Sequence, residues 1–154
     1  MAMVDKVRLY ILWFIAIMLL LYHGAIAFFS LMPITYWFKY YEVVPRCTEI
    51  KIGEKLQFIS HLDVYRVSSL SFNDILFQQD PDTKGFIRYS SQNTQRSYSA
   101  KGEDKYAIWP FINSPSDPGT YCLESNISVH LPLHIERTQQ FDGCAAGITF
   151  EVVE

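Results

Sequence analysis

Residues 8–41 read RLYILWFIAIMLLLYHGAIAFFSLMPITYWFKYY, and how this stretch is taken decides how the rest of the chain is taken. Between Leu9 and Phe38 there is no Asp, Glu, Lys or Arg. The hydrocarbon core of a bilayer is about 30 Å thick, and a helix crosses it in roughly 20 residues. The run exceeds that length, so it spans with some tilt. Leu, Ile, Met, Phe and Ala fill it on every side, which a core helix of a small soluble domain does not require. The pattern predicts a transmembrane helix over 9–32. Pro33 has no backbone N–H to donate and disfavours helix in the residue before it, so the helix is expected to stop there.

A secretory signal is the main rival. Lys6 and Arg8 make a short basic region, and Ala25-Ile26-Ala27 has the small-x-small form of a cleavage site. The apolar run continues through Phe28, Phe29 and Leu31, past the length of a signal core, so an uncleaved signal-anchor is expected. Tyr10 and Trp13 stand near one end, and Tyr36, Trp37, Tyr40 and Tyr41 past the other. Rings with a polar tip favour the headgroup level, so these six are expected at the two membrane interfaces, with lipid as their partner. Tyr22, His23, Gly24 and Ala27 lie mid-span. An ionisable residue beside small ones suggests a face for another helix.

Basic residues flank the segment almost equally, Lys6 and Arg8 before it and Lys39 and Arg46 after it, so charge alone does not orient it. Cys47, Cys122 and Cys144 all follow it. A bond between any two would place that portion in an oxidising compartment. Three pairings are open, each leaving one thiol over, and a fully reduced set of small buried residues is the alternative. Cys122–Cys144 is the expected pair, closing a loop whose restriction contributes about 3 kcal/mol. Cys47 would then be the odd thiol, near the membrane and able to link two chains. The expected order is a cytosolic tip over 1–8, the transmembrane helix over 9–32, a juxtamembrane connector over 33–46, and a periplasmic or extracellular domain over 47–154.

That last part reads as mostly β. Ile50 and Ile52 alternate with polar residues before a Gly53-Glu54 turn, and Leu56-Gln57-Phe58 opens a second alternation. Ser69 to Phe77, Gly85 to Tyr89, and Tyr106 to Phe111 follow, the second after an Asp80-Pro81-Asp82 cluster. Ile127, Val129 and Leu131 share one phase, as do Ile148, Phe150 and Val152. About seven short strands with turn signals between them suggest a sandwich or barrel.

Two stretches resemble immunoglobulin-like domains. IKIGEKLQF, Ile50 to Phe58, is similar to their opening hairpin. DPGTYC, Asp117 to Cys122, is similar to their D-x-G-x-Y-x-C signature, with Asp117, Gly119 and Tyr121 in register. The resemblance implies an immunoglobulin-like β-sandwich and a Tyr121 hydroxyl bonded back to the backbone. The family's cysteine stands two residues after the tyrosine, whereas Cys122 stands one after, and the second strand has no cysteine near Phe58. The usual inter-sheet disulfide is therefore not implied, and a bond at Cys122 would be peripheral. The overall plan also resembles small single-pass membrane proteins of bacteria and their phages.

Motifs for chemistry are sparse. His130 and His134 are four apart, but Pro132 between them and an extended pattern put them about 13 Å apart at about 3.3 Å per residue, too far to share a metal. No cofactor is implied. Ser60, His61 and Asp63 in SHLDVY would supply a hydrolase, secreted or anchored, without the G-x-S-x-G elbow that positions such a serine. The carboxylates at Asp80 and Asp82, and at Glu103 and Asp104, sit in turn-rich segments. From Lys39 onward eleven Lys and Arg face fifteen Asp and Glu, so no basic surface for nucleic acid is expected. RYSSQNTQRSYSAKGEDK, Arg88 to Lys105, is rich in Ser, Gln and Tyr, as adaptable contact loops are. Arg88, Gln92, Arg96, Tyr98 and Lys101 are the contact candidates, with an exposed hairpin as the plain alternative. Asn126-Ile127-Ser128 is a glycosylation sequon.

The expectation is a membrane-anchored sandwich without catalytic activity that binds a protein partner or its own kind, with no nucleic-acid partner. The alternatives are a subunit of a larger membrane complex held through its helix, and a hydrolase using His61 and Asp63.

Overall fold

The computed structural model describes residues 3–66, 69–97 and 102–154. The chain is mostly β with one long N-terminal helix and separates into two compact units: the helix together with His130–Ile135, and Pro33–Val129 with Glu136–Glu154.

Helix α1 runs Met3–Leu31, so it begins a turn and a half before the apolar run itself. Its segment Lys6–Leu31, 26 residues, is long and apolar enough to cross a membrane, and the apolar part is not buried within the protein. At about 1.5 Å per residue the segment is about 39 Å long, more than a bilayer core requires. Met32 N–H still donates to Phe28 O at 3.1 Å, closing the last turn before Pro33.

A single 3-10 turn, Ile34–Tyr36, leads directly into strand β1, Phe38–Pro45. This corrects the expected connector over 33–46. Phe38 is fully buried, and Trp37 and Tyr40 are buried with it. The Tyr40 ring packs 6.1 Å from Phe72 and 6.1 Å from Phe141. Aromatic rings leave water equally well for a protein core or for a headgroup layer, and here the core holds two of the four.

Eight more strands follow: β2 Glu49–Lys51, β3 Gln57–Val64, β4 Ser69–Gln79, β5 Phe86–Ser97, β6 Gly102–Pro110, β7 Gly119–Leu131, β8 Ile135–Asp142 and β9 Thr149–Val153. One sheet has the order β1-β3-β6 and the other β2-β9-β7-β4-β5, with β8 added on β7. The β2–β9 pair is parallel, and every other described pairing with a given register is antiparallel. Period-two alternation decides which side chains turn inward. In β7, Ile127, Val129 and Leu131 are buried, and in β9 Phe150 and Val152. The inner faces meet through aromatic contacts: Tyr40 on Phe72, and Phe58 on Phe150 with ring centres 5.8 Å apart. Each buried ring removes 150–250 Å² from water, about 4–6 kcal/mol of transfer free energy per ring before entropy is charged against it.

Tyr121 is fully buried near the start of β7, stacked on Phe150, and its hydroxyl donates to Asp117 O at 2.8 Å. Burial raises its pKa above the ordinary phenol value, and the neighbouring Tyr89 and Asp117 push in the same direction. Replacing Tyr121 with phenylalanine keeps the packing and removes one hydrogen bond. The expected loss is about 1 kcal/mol in a urea titration, and no loss would mean that Asp117 O finds water instead.

Candidate functional site

The proposed membrane residues fall into two groups. Tyr10 and Trp13 are exposed on α1, where an apolar cleft is lined by Leu9, Leu12, Trp13 and Ala16. His23 Nδ1–H donates to Leu19 O at 2.7 Å, four residues back, so its own helix satisfies one ring nitrogen. A Cβ built on Gly24 would meet open space, and Ala27 is exposed. Trp37 and Tyr40 belong to the β-domain core, as described. Tyr36 takes the Arg66 guanidinium over its ring, 3.9 Å from the centroid, while Arg66 Nη1 donates to Tyr36 O at 2.9 Å.

Tyr41 lies on the outer face of the three-stranded sheet. Its ring stacks on His61 at 4.6 Å, and His61 stacks on Tyr106 at 4.5 Å. The register His61↔Tyr106 and Glu42↔His61 builds this column, and a bulge between Tyr40 and Glu42 admits Tyr41 to it. Asp63 is buried and accepts from the Tyr41 hydroxyl and, at 2.9 Å, from the Tyr65 hydroxyl. Ser60 is fully buried on the opposite face of β3, its hydroxyl directed to Ala107 O. An acyl-transfer serine must meet both its base and solvent. Strand alternation separates Ser60 from His61, so the three do not form a triad.

His130, next to last in β7, is exposed, and His134 closes the 3-10 turn Pro132–His134, where Leu133 and His134 both have φ near 60°. Among the described residues no three His, Cys, Asp or Glu side chains gather as a metal site.

The expected contact loop is largely two strands, β5 and β6. Tyr98 and Lys101 lie outside the described residues. Arg88 is exposed and donates to Ser91 Oγ at 2.8 Å. Gln92 and Arg96 turn inward, which corrects their assignment as contact residues. Ring faces of Phe72 and Trp109 clamp Arg96, its Cζ 3.8 Å from one centroid and 4.0 Å from the other. Its Nη2 donates to Asp74 Oδ2 at 3.1 Å. Ser125 donates to Asp74 Oδ1, and Gln92 Nε2 lies 3.4 Å from Asp74 Oδ2. Gln92 Oε1 in turn accepts from Ile112 N–H at 2.8 Å. This is a charged cluster between two sheets, with the Asp74 side chain fully buried. Sequence reading missed it, although Asp74 occupies the apolar phase of Leu70-Phe72-Asp74-Leu76.

Burial raises the Asp74 pKa above its ordinary 3.8, against lowering contributions from Ser125, Arg96 and Gln92. A raised folded-state pKa means the native state binds its proton more tightly than the unfolded chain does. The stabilisation this adds is complete below 3.8 and is lost as pH rises through the folded value. Asparagine at this position cannot titrate. The stability difference between the parent and Asp74→Asn is therefore expected to shift toward the parent as pH falls toward 3.8. Urea titrations across that range test this, and a pH-independent difference would contradict it.

Cys122 and Cys144 form a disulfide with Cα atoms 5.1 Å apart, as expected, and Cys47 is a free, exposed thiol. The bond ties the turn after β8 to β7. Gly143 N–H donates to Leu123 O at 3.0 Å, and a Cβ at Gly143 would come within 2.6 Å of that oxygen, so the approach requires glycine.

No protein-family model matches the chain, and no curated protein matches it. Solved structures similar to it include an alkylpurine DNA glycosylase, AlkC, of Pseudomonas fluorescens, bound to DNA containing an abasic site analogue. The TM-score is 0.39 with 10% identity, over 76% of this chain and 30% of that one. That protein is an enzyme with a nucleic-acid partner. The expectations of no catalytic activity and no nucleic-acid partner are corrected on this finding and are carried no further. A TM-score of that size assigns this chain neither an activity nor a ligand.

Proposed function

We propose that the chain is a single-pass membrane protein that holds its β-domain on the outer or periplasmic side, where the domain binds or scaffolds another protein. The observation that carries this reading is the helix itself: 26 residues of membrane-spanning length, with the apolar part not buried within the protein. In water such a surface would cost about 25 cal/mol for every Å² of apolar area exposed. Lipid removes that cost. The Cys122–Cys144 bond supports the outer side, because disulfides persist in oxidising compartments. Anchoring raises the local concentration of the domain, so a weak contact can hold an assembly together.

The domain itself we read as an immunoglobulin-like sandwich. Two observations favour this: the split into a β1-β3-β6 sheet and a β2-β9-β7-β4-β5 sheet, and the Tyr121 hydroxyl bonded back to Asp117 O at the entry to β7. The disulfide departs from that family, since it joins β7 to the turn after β8 and leaves the two sheets unbridged.

Exchange of Lys6–Leu31 for an unrelated apolar helix separates the proposal from its rival. The exchanged protein is expected to stay in carbonate-washed membranes and to give the same cross-linked adducts as the parent. Loss of those adducts with membrane retention intact would instead make the helix the contact surface, as in a subunit of a larger membrane complex.

A further inference from the structure

The outer face of the larger sheet carries rows of polar residues. Asn73 of β4 pairs in register with Asn93 of β5 and with Asn126 of β7, so three asparagines line up across three adjacent strands. One step along, Ser71 pairs with Gln95 and with Ser128. Neighbouring strands lie about 4.8 Å apart, so the rows form a regular grid of amides and hydroxyls on a rigid support. Asparagine is depleted in strands because its side chain competes for backbone hydrogen bonds. A row of three runs against that preference. Departures from local preference without a structural return are expected at functional sites.

The structural return is small. Asn73 and Asn93 are exposed, and their side-chain amides make no hydrogen bond among the described residues. Asn126 Nδ2 donates to Glu124 Oε1 at 3.3 Å, and Gln140 Nε2 donates to the same oxygen at 2.8 Å, which fixes the Asn126 amide. Ser128 and Thr138 share a hydrogen bond of 2.9 Å. Asn73, Asn93, Asn126 and Ser128, with Ser71 and Gln95, line a cleft of about 370 Å³ in which Glu136 is the one charged group among the described lining. That volume lies at the lower end of small-ligand sites.

The donor set selects the ligand. Among the described residues no Lys or Arg lines the cleft to hold an anion, and one carboxylate does not make the oxygen cage of a hard cation. An extended peptide gains its affinity by pairing its backbone at a sheet edge, here β5, whereas Asn73 and Asn126 stand on the inner strands β4 and β7, away from that edge. Each Asn or Gln offers a carbonyl acceptor beside two N–H donors, which matches a pair of neighbouring hydroxyls that both donate and accept. We propose that this cleft binds a neutral saccharide through Asn73, Asn93 and Asn126.

The test uses the full chain, 15N-labelled, in micelles of a detergent without a sugar headgroup. Maltose, lactose, mannobiose and chitobiose are each added to about 10 mM, together with a Ser-Gln-Asn-Thr peptide as the competing ligand class. At least one disaccharide is expected to move the side-chain amide resonances of Asn73 and Asn93 saturably, with Kd of order 1 mM. Asn73→Ala is expected to weaken that binding about tenfold or more. Asn93→Ala gives the same reading from a different strand if the first variant does not fold. Silence from all four sugars, a response to the peptide alone, or shifts unchanged in both variants would overturn the proposal.

Discussion

Replacing Arg96 with alanine lowers the unfolding free energy of the β-domain by about 3–5 kcal/mol at neutral pH. The loss comes from what remains behind. The Asp74 side chain is fully buried and keeps Ser125 and Gln92 as neighbours but loses its countercharge. Phe72 and Trp109 lose the guanidinium that fills the space between their faces. Arg96→Lys does not rescue it fully, because an ammonium is a compact point charge that cannot lie flat between two rings. Asp74→Asn in the Arg96→Ala background is expected to restore part of the loss by removing the unpaired charge. Urea titration of the four proteins gives the coupling between the two positions directly. A single-variant loss below about 1 kcal/mol would mean that the pair is solvated and that the inter-sheet cluster is not a support of the fold.

Removing the disulfide is the second large effect. Cys122 and Cys144 are 22 residues apart, and the chain-entropy relation gives about 3 kcal/mol for a loop of that size. The Cys122→Ala/Cys144→Ala double variant is expected to lose that stability, with a fall in Tm on the order of 10 °C. Reduction of the parent should give the same shift. The turn after β8 also rests on β7 through the Gly143–Leu123 hydrogen bond, so its release is expected to raise amide exchange at Gly143 before the rest of the sheet responds. A difference between the reduced parent and the double variant would point to strain or cavity effects at Cys122, which is fully buried.

Legibility in the sequence followed the physics of each element. The helix was legible because its length and freedom from charge are plain in the sequence, and its observed end at Leu31 lies one residue from the expected one. Strands with clean alternation, such as Ile127-Val129-Leu131 and Phe150-Val152, turned inward as read. The Cys122–Cys144 pairing also held. Strand β1 was not legible. Trp37, Phe38 and Tyr40 follow an apolar helix immediately, and sequence alone does not distinguish a ring buried in lipid from one buried against Phe72. The polar stretch from Arg88 suggested a loop because Ser, Gln and Asn have low strand preference. Pairing along the whole of β4, from Ser69↔Ser97 to Gln79↔Phe86, overrode that preference. The Asp74–Arg96 cluster was hidden for a related reason: the two partners are 22 residues apart and come together only through strand register. Ser60 and His61 misled in the other direction, since adjacency in a strand sends neighbouring side chains to opposite faces.

The most direct test of the anchored, outward-facing domain is topology and thiol state in one measurement. Intact spheroplasts are treated with protease from outside, and a matched sample is mass-tagged at thiols with and without reductant. The account predicts that the β-domain is cleaved from outside, that one thiol, Cys47, is tagged before reduction, and that two more are tagged after it. A protected domain with all three thiols free in the native membrane would place it in the cytosol and contradict the account.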